Sequence, residues 1–320
     1  MKNISDIAKI AGVSKSTVSR YLNDGSVSIK TKQKLDKVIQ ENDYQPNQFA
    51  QSLRARKTNM IGAIIPRMNS HAVEETIKGV KAICDELNYR LLLNYTNIDP
   101  ELEIDALETF YRSKVDGIIF MATEITDRHI EIINKIDVPV IIVGQEHKDL
   151  HCVIHNDYHA GYLVGDTIGE RGYKDIQFFG VTETDIAVGI QRKKGFIAGL
   201  ANHGIKPHIS HASFTYDAAM EDVAKVLNDY TNYDAVVGAT DTIALAVHKF
   251  TSEHTANNRN KFIVGFGGDP VTEIVSPSIH TVCYYFEHAG EIAMRNLDQM
   301  IQLQSIEQQI TIDVSLSFKK

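Results

Sequence analysis

The pattern of apolar and polar positions changes once along the chain, close to residue 60. Before this point, apolar residues recur at the spacing of a helix, as at Ile4, Ile7 and Ala8. After it, short apolar runs alternate with amphipathic stretches of helical period. The pattern therefore predicts a small helical N-terminal head followed by a larger body of alternating strands and helices.

The body is predicted to form open parallel sheets, because repeated alternation of strand and helix produces such sheets. The first set of strands is MIGAIIP, RLLLNYT, GIIFMAT and VPVIIVG, with helices at 73–88, 101–113 and 127–136. The second set is DIQFFGV, helix 186–203, a strand near HASF, helix 216–230, DAVVGA, helix 242–254 and FIVGFGG. Two such lobes leave a cleft between them, and ligands of these sheets bind beyond the carboxyl ends of the strands.

In the head, local signals predict the start of two helices and the turn between them. Asn3 and Asp6 have the spacing of a capping box for a first helix. Gly12 permits a sharp turn, and Ser14 is placed to cap a second helix by accepting a bond from the N–H near Thr17. This succession is that of a helix-turn-helix unit.

The second helix has one apolar face and one polar face. Val18 and Leu22 lie four residues apart and are expected to face inward. The opposite face carries Lys15, Ser16, Ser19 and Arg20. Because the major groove of B-DNA admits one helix and presents hydrogen-bonding base edges, Lys15, Ser16 and Arg20 are the candidate base readers.

A third helix is predicted to complete the core of the head. Ser28 and Thr31 mark its beginning, and Tyr44 with Pro46 marks its end. Its inward residues are Leu35, Val38 and Ile39.

The charge of the chain is unevenly distributed. The chain has 320 residues and a formal net charge of −8, but its first 60 residues hold 11 basic and 5 acidic residues. The remainder holds 22 basic and 36 acidic residues. A basic head on an acidic body indicates a nucleic-acid partner for the head, although a solvated basic face without a partner explains the charge alone equally well.

Several other classes of protein are disfavoured by what the sequence lacks. MKNISDIAKI has no apolar core of a signal peptide, and no stretch approaches the about 18 apolar residues of a membrane span, so a cytoplasmic protein without membrane contact is expected. The cysteines Cys84, Cys152 and Cys283 are odd in number and far apart, which favours reduced thiols.

Catalytic and cofactor motifs are also missing. The sequence contains no GxGxxG, GxxxxGK[ST], HExxH or GxSxG pattern. His151, His155 and His159 have a spacing of four but straddle a predicted strand–helix boundary, so no metal site is expected. TETD, which ends at Asp185, could imitate the carboxylate pair of a glycosidase, but nothing in the sequence provides a partner with a raised pKa. We therefore predict no catalytic residues, no cofactor and no enzymatic activity.

The stretches ISDIAKIAGVSKSTVSRYLN and YQPNQFAQSLRARKTNMIGAIIP together resemble the DNA-binding head and linker of the lac repressor family of transcription regulators. The resemblance implies a helix-turn-helix domain at 1–46, a hinge helix and linker at 47–58, and an effector-binding and dimerisation domain at 59–320. It further implies an α/β body of two periplasmic-binding-protein-like lobes, with the last strand, ITIDVSLSF, returning near the first lobe.

The resemblance also implies the partners of each part. The expected partners are near-palindromic double-stranded operator DNA, a small sugar effector and a second copy of the chain. In the family, paired hinge helices insert a leucine into the minor groove, and Leu53 holds that position here, beside Arg54. The full set of expected DNA contacts is Asn3, Ser14, Lys15, Ser16, Thr17, Ser19, Arg20, Asn23, Ser28, Thr31, Tyr44, Asn47, Ala50, Gln51, Leu53 and Arg54.

Effector contacts are expected directly after the strands of the body. They are Arg67, Asn69, Met121, Thr123, Gln145, Arg192, Thr240, Asp241, Asp269, Tyr284 and Phe286. Arg192 occupies the family position whose arginine binds ligand hydroxyls. Thr240 and the pair Gly267–Gly268 depart from the family pattern, and this leaves the role of Asp269 open.

The resemblance favours a repressor that a sugar releases from DNA, but alternatives remain. A sugar-binding protein without DNA activity would have the same body, and a doubly wound sugar-phosphate enzyme would share the fold class. The sequence also leaves open whether the effector is a disaccharide, a monosaccharide or a sugar phosphate.

Overall fold

The computed structural model describes residues 2–22, 25–44, 57–229, 233–254 and 261–317. The chain divides into two compact units, Met1–Asn59 and Met60–Lys320, which we call the head and the body. None of the helices in the described ranges is long and apolar enough to cross a membrane. The predicted hinge helix lies almost entirely outside the described residues.

The head consists of α1 (Ile4–Ile10), α2 (Lys15–Leu22) and α3 (Ile29–Glu41). The side chain of Asn3 accepts bonds from the N–H groups of Ser5 and Asp6, at 2.8 and 3.2 Å, and Asp6 accepts from the N–H of Asn3 at 2.9 Å. The predicted capping box is therefore present. Gly12, with φ +57°, makes the turn into α2.

The three head helices enclose a small core. Its buried members are Ile7, Ala8, Ala11, Val18, Leu35, Val38 and Tyr44. The phenol of Tyr21 on α2 donates a hydrogen bond to Asp36 on α3, which joins these two helices outside the core. The inward residues predicted from helical spacing thus do form the core of the head, with Leu22 and Ile39 partly buried at its edge.

The first part of the body contains β1 (Met60–Ile65), α4 (His71–Glu86), β2 (Arg90–Tyr95), α5 (Pro100–Arg112), β3 (Gly117–Met121), α6 (Asp127–Lys135), β4 (Val140–Val143) and β5 (His151–His155). The middle part contains α7 (Asp157–Glu170), β6 (Ile176–Gly180), a π-helical segment (Ile186–Arg192), α8 (Lys193–Ala201), β7 (His208–His211), α9 (Tyr216–Leu227), β8 (Ala235–Gly238) and α10 (Asp241–His254). The last part contains β9 (Phe262–Gly267), α11 (Val271–Ile274), β10 (His280–Cys283), α12 (Phe286–Ile301), β11 (Gln309–Ile312) and β12 (Ser315–Ser317).

Two six-stranded sheets form the two lobes of the body. The first has the order β11–β5–β4–β3–β1–β2 and the second has the order β12–β10–β9–β8–β6–β7. Within the described part of the chain, every pairing is parallel except that of β12 with β10. The chain passes between the lobes three times, after β5, after β10 and after β11. The predicted two-lobed body with parallel sheets is confirmed.

The central strands are apolar on both faces because each face is covered by helices. In β3, Ile118 and Phe120 pack with residues of α5 and α6 such as Leu107. Ile119, between them, points to the other face and packs with residues of α4 and α12 such as Val80. This double coverage explains why GIIFM is an unbroken apolar run.

Three predicted elements differ from the observed ones. The C-terminal stretch ITIDVSLSF was predicted as one strand near the first lobe, but β11 joins the first sheet and β12 joins the second. The predicted helix 186–203 begins instead as the π-helical segment before it becomes α8. The strand predicted near HASF ends at His211, because its pairing with β6 spans residues 208–211.

The pair α7–α8 approaches more closely than side chains normally allow. Gly161, Gly165 and Gly169 lie one turn apart on α7, opposite Gly195 and Gly199 on α8. A Cβ atom added to Gly165 would overlap the carbonyl oxygen of Phe196, and one added to Gly199 would overlap that of Tyr162. The glycines are therefore required for backbone-to-backbone packing.

Gly165→Ala is expected to lower the free energy of unfolding of the body by about 1–3 kcal/mol, because the added methyl group forces the two helices apart. Denaturant unfolding monitored by circular dichroism measures this change. The exposed Glu170→Ala on the same helix is the control and should change the value by less than about 0.5 kcal/mol. Equal stability of Gly165→Ala and the wild type would contradict the packing argument.

Candidate functional site

The exposed face of α2 carries the predicted base readers. Lys15, Ser16 and Arg20 are exposed, and Ser19 is partly exposed. The hydroxyl of Ser14 lies 2.7 Å from that of Ser16 and 2.8 Å from that of Thr17, and it accepts a bond from the N–H of Thr17 at 3.1 Å. Ser14 therefore caps α2 as predicted.

Other predicted DNA contacts have structural roles in the head. Ser28 caps α3 by accepting a bond from the N–H of Thr31 at 3.3 Å. Tyr44 is only 9% exposed and packs in the core of the head, and this burial raises the pKa of its phenol. The structure thus places Tyr44 in the core rather than on an open binding face. Asn23, Asn47, Ala50, Gln51, Leu53 and Arg54 lie outside the described residues.

The body contains a cavity between its two lobes, beyond the carboxyl ends of the strands. Ten of the eleven predicted effector contacts line it, namely Arg67, Met121, Thr123, Gln145, Arg192, Thr240, Asp241, Asp269, Tyr284 and Phe286. Asn69 does not line it, because the loop after β1 turns this side chain to the exposed surface. The rule that ligand contacts follow parallel strands therefore identifies the cavity, but not every residue in a long loop.

Arg192 lies at the end of the π-helical segment and is only 5% exposed. Its Nε and Nη2 both donate to Oδ1 of Asp157, the former at 2.9 Å, and its Nη1 donates to the carbonyl oxygen of Ala239. The rings of Phe266 and Tyr284 each have their centre 4.9 Å from the guanidinium carbon. Burial acts to lower the pKa of Arg192, but the neighbouring Asp157 raises it above its ordinary value.

Asp157 is the main residue of the site that the sequence did not predict. It is the first residue of α7, immediately beyond the crossing from β5 into the second lobe. The same Oδ1 atom that binds Arg192 also accepts a bond from the hydroxyl of Tyr284 at 2.8 Å. One carboxylate thus joins two of the three crossings between the lobes.

Asp241, at the start of α10, is buried beneath β9. Its Oδ1 accepts from the hydroxyl of Thr281 at 2.7 Å, and its Oδ2 accepts from the N–H of Asp269 at 2.8 Å. Side chains at Gly265 and Gly267 would collide with this carboxylate, which explains the glycines in FIVGFGG. Burial raises the pKa of Asp241 to about 7.

Asp269 contributes to the same wall of the cavity. Its backbone binds Asp241, and its carboxylate accepts a bond from the N–H of Val271 at 3.0 Å. It therefore lines the cavity two residues beyond the position at which many members of the resembled family carry an acid. This is the placement that the sequence left open.

Gln145 bridges the two lobes across the cavity. It follows β4 of the first lobe, and its Nε2 donates to Oδ1 of Asp185 in the second lobe at 2.7 Å. Its Oε1 accepts from the N–H of Ala187 at 3.3 Å. Both ends of the amide are therefore already bonded, and its role in this structure is to connect the lobes.

Arg67 also reaches across the cleft. Its guanidinium carbon lies 4.5 Å from the centre of the Phe214 ring, and its Nη1 donates to the carbonyl oxygen of Phe214 at 3.4 Å. Its buried Nε has no hydrogen-bond partner among the described residues. Burial lowers the pKa of Arg67 below its ordinary value, although the negative charge of Asp185 partly offsets this effect.

The histidines considered as metal ligands are separated. The ring of His155 packs edge-on against the stacked rings of Tyr284 and Phe286, with its centre 5.1 Å from each, whereas His159 is exposed. Within the described ranges, no group of three His, Cys, Asp or Glu side chains is arranged to hold a metal ion. Cys84 and Cys152 are buried free thiols, and burial raises the pKa of Cys84 to about 12.

Comparison with known proteins agrees with this arrangement. A family model described as bacterial regulatory proteins of the lacI family matches residues 3–47. A second, described as periplasmic binding proteins and sugar binding domain of LacI family, matches residues 58–265. The sucrose operon repressor of Staphylococcus xylosus is 74% identical over 319 residues, covering 100% of both chains. Catabolite control protein A of Priestia megaterium is 28% identical and covers 96% of this chain and 95% of its own.

Solved structures show the same fold. A lac repressor dimer bound to operator and the anti-inducer ONPF superposes with a TM-score of 0.89 at 21% identity, covering 98% of this chain and 97% of its own. A complex of the transcriptional regulator CelR with cellobiose gives a TM-score of 0.75 at 20% identity and covers 99% of each chain.

A helix-turn-helix head followed by a two-lobed body with a polar cleft defines a ligand-responsive transcription regulator. With its close full-length relative and both family models, the chain belongs to the LacI family of bacterial regulatory proteins. The resemblance seen in the sequence is confirmed, and so is the expectation of a regulator rather than an enzyme, because this is a family of regulators.

The buried carboxyl of Asp185 generates a prediction about pH. Burial raises its pKa to about 6 from an ordinary value of 3.8, although the N–H of Val188 and the amide of Gln145 bind it. Between these pH values the folded chain holds a proton that the unfolded chain has lost. The free energy of unfolding therefore falls as the pH rises from about 4 to about 6 and stays lower above that.

Asp185→Asn should abolish this loss of stability with rising pH. The amide oxygen of the asparagine can accept the same two hydrogen bonds, but the side chain carries no charge at any pH. The free energy of unfolding of the wild type relative to the variant should fall by up to about 3 kcal/mol between pH 4 and 7. Denaturant titrations across this range measure the difference. The exposed Asp137→Asn is the control and should follow the wild type at every pH. A constant difference for Asp185→Asn would refute the assignment.

Proposed function

We propose that this chain is the repressor of a sucrose-utilisation operon, acting as a cytoplasmic homodimer on a near-palindromic operator and released by a sugar bound in the cleft. The 74% identity over the full chain to a sucrose operon repressor carries this proposal. The exposed polar face of α2 and the polar, aromatic-lined cavity of the body support it.

Operator recognition is assigned to the start of α2. Lys15, Ser16 and Arg20 enter the major groove, where lysine and arginine bind guanine and serine binds several bases. Capping residues such as Ser14 and Ser28 present backbone N–H groups to phosphates. The family's minor-groove wedge is assigned to Leu53, next to Arg54, with Asn47, Ala50 and Gln51 on the same hinge.

Release of the operator is assigned to a change in the separation of the two lobes. Gln145, Asp185 and Ala187 already connect the lobes across the cleft in this structure. A sugar bound between Arg192 and Asp241 on one side and Arg67 on the other favours the closed arrangement, and closure alters the spacing of the paired hinges. Such coupling is reciprocal, so operator DNA weakens sugar binding by the same factor.

A binding titration tests this proposal directly. Labelled DNA from upstream of the chain's own operon is titrated with the full-length protein, without sugar and then with sucrose, sucrose 6-phosphate or fructose. At least one sugar should weaken operator binding about tenfold or more, and operator should weaken that sugar's binding by the same factor. Absence of DNA binding at low salt, or no effect of any of these sugars, would refute the proposed function.

Two matched lysine variants separate specific contacts from general charge. Lys15→Ala should weaken operator binding about tenfold or more while leaving sugar binding unchanged. Lys37→Ala removes another exposed lysine of the head, on α3, where it pairs with Glu41. It is the control and should lose far less affinity.

The dimer is assigned in part to the open edge of the first sheet. The strand β2 lies at this edge, and Leu92, Leu93 and Tyr95 are 37%, 51% and 48% exposed. An apolar edge strand is a liability for a monomer and is normally covered. A second copy covers it through a two-fold axis, which also matches a near-palindromic operator.

Leu93→Lys is expected to weaken the dimer because it places a charge on this apolar edge. Sedimentation at micromolar concentration should show a shift from dimer to monomer, and operator affinity should fall with it because one head makes too few contacts. The exposed Lys135→Ala on α6 is the control and should remain dimeric. A dimeric Leu93→Lys protein would remove β2 from the interface.

A further inference from the structure

One end of the cavity carries Arg67, a cation without a paired carboxylate among the described residues. No carboxylate among the described residues lies within ion-pair distance of Arg67, and its buried Nε has no hydrogen-bond acceptor. A buried guanidinium N–H without an acceptor is costly in free energy, so such a group normally meets a partner or a ligand. Arg67 lines the cavity, and a ligand there is placed to supply the acceptor.

The start of α4 lies in the same wall of the cavity. Ser70, the N-cap of this 16-residue helix, makes no side-chain capping bond. Ser70, His71, Ala72 and Val73 all line the cavity together with Arg67. The first N–H groups of a helix lack partners within the helix and, with its dipole, favour an anion.

A second buried polar atom in the same cavity lacks a hydrogen-bond partner among the described residues. His155 is 8% exposed, and its Nε2 has no hydrogen-bond partner within the described residues. Its ring contacts that of Phe286, which also contacts the ring of His71 at the start of α4. Burial lowers the pKa of His155, which favours a neutral imidazole able to donate or accept one bond.

Among the described residues, the opposite wall of the cavity has no unbalanced positive charge. The guanidinium of Arg192 is matched by Asp157, and Asp241 and Asp269 are acidic. An anionic group bound at this wall would meet carboxylates, whereas sugar hydroxyls would find both donors and acceptors. The charge distribution therefore orients the ligand, with hydroxyls at the second lobe and an anion at the first.

Asp185 is the acid that acts on Arg67 at this end of the cavity. Its Oδ1 already accepts from the amide of Gln145 and the N–H of Val188, at 2.7 and 2.9 Å. These two donors hold the carboxylate of Asp185, which makes no direct ion pair with Arg67. The unpaired Nε–H of Arg67 is therefore available to a ligand.

From this arrangement we propose that the effector is a phosphate ester of a sugar, with its phosphate held by Arg67 and the first N–H groups of α4. This rests on the proposed function and names the chemical class of its ligand. A phosphate matches the arrangement because it offers three acceptor oxygens to a planar guanidinium and to backbone N–H groups. The sugar ring then occupies the part of the cavity around Arg192 and Asp241.

Calorimetric titration of the full-length protein with sucrose and with sucrose 6-phosphate tests this proposal. The phosphate ester should bind about tenfold more tightly or better at low salt, and its advantage should shrink as salt is added. Arg67→Gln should reduce the ratio of the two dissociation constants to about threefold or less, whereas Arg67→Lys, which keeps a charge, should retain part of the preference.

The control is Arg112→Gln, which makes the same replacement at an exposed arginine that pairs with Glu108 on α5. It should keep the full preference for the ester, and a melting curve of each variant establishes that it is folded. Equal affinity of wild type for both sugars, or an unchanged ratio in a folded Arg67→Gln, would overturn the proposal. Operator release by unphosphorylated sucrose would then leave the proposed function intact, whereas release by neither sugar would count against both.

Discussion

The buried ion pair between Arg192 and Asp157 is the interaction on which the site depends. Asp157 begins α7 just after the first crossing between the lobes, and Tyr284 lies at the second crossing, directly after β10. Asp157 accepts hydrogen bonds from both Arg192 and Tyr284. The base of the cleft is therefore held together by one guanidinium and one carboxylate. Neither charge is tolerated alone in such a place, since removal of one partner from a buried pair typically costs about 3–5 kcal/mol. The same ion pair therefore fixes both the shape of the cleft floor and the positions of the two chain crossings beside it.

The same pair leaves Arg192 with donors that a ligand in the cleft could use. A guanidinium has five N–H donors, and Asp157 and Ala239 occupy three of them in this structure. The aromatic rings of Phe266 and Tyr284 pack against the guanidinium. Arg192 is thus held in one orientation, so its side chain loses little conformational entropy when a ligand binds to it.

Much of the architecture could be predicted from the sequence, because it depends on local patterns. Parallel strands covered on both faces are continuous apolar runs, and GIIFM and AVVG show this clearly. The strand β5 gives a weaker signal, because its apolar centre is short and histidines bound it. For that reason Asp157, which follows β5, was not identified, although the same rule of looking after strands applies to it.

The roles of individual residues were harder to predict, because they depend on contacts far apart in the sequence. Gln145 has the position of a ligand contact, but Asp185, 40 residues later, takes its amide. Tyr44 has the polar end expected of a DNA contact, but its ring completes the core of the head. The split of the C-terminal stretch between two sheets depends on pairings with β5 and β10, which no local pattern encodes.

The glycine-lined contact between α7 and α8 has a consequence for motion. Where backbone meets backbone, few rotamers are available to absorb a displacement, so the two helices move as a single stiff piece. With 14 residues, α7 is about 21 Å long, and Asp157 lies at its first turn. A small rotation imposed at Asp157 would therefore turn both helices together and be transmitted along their full length into the second lobe.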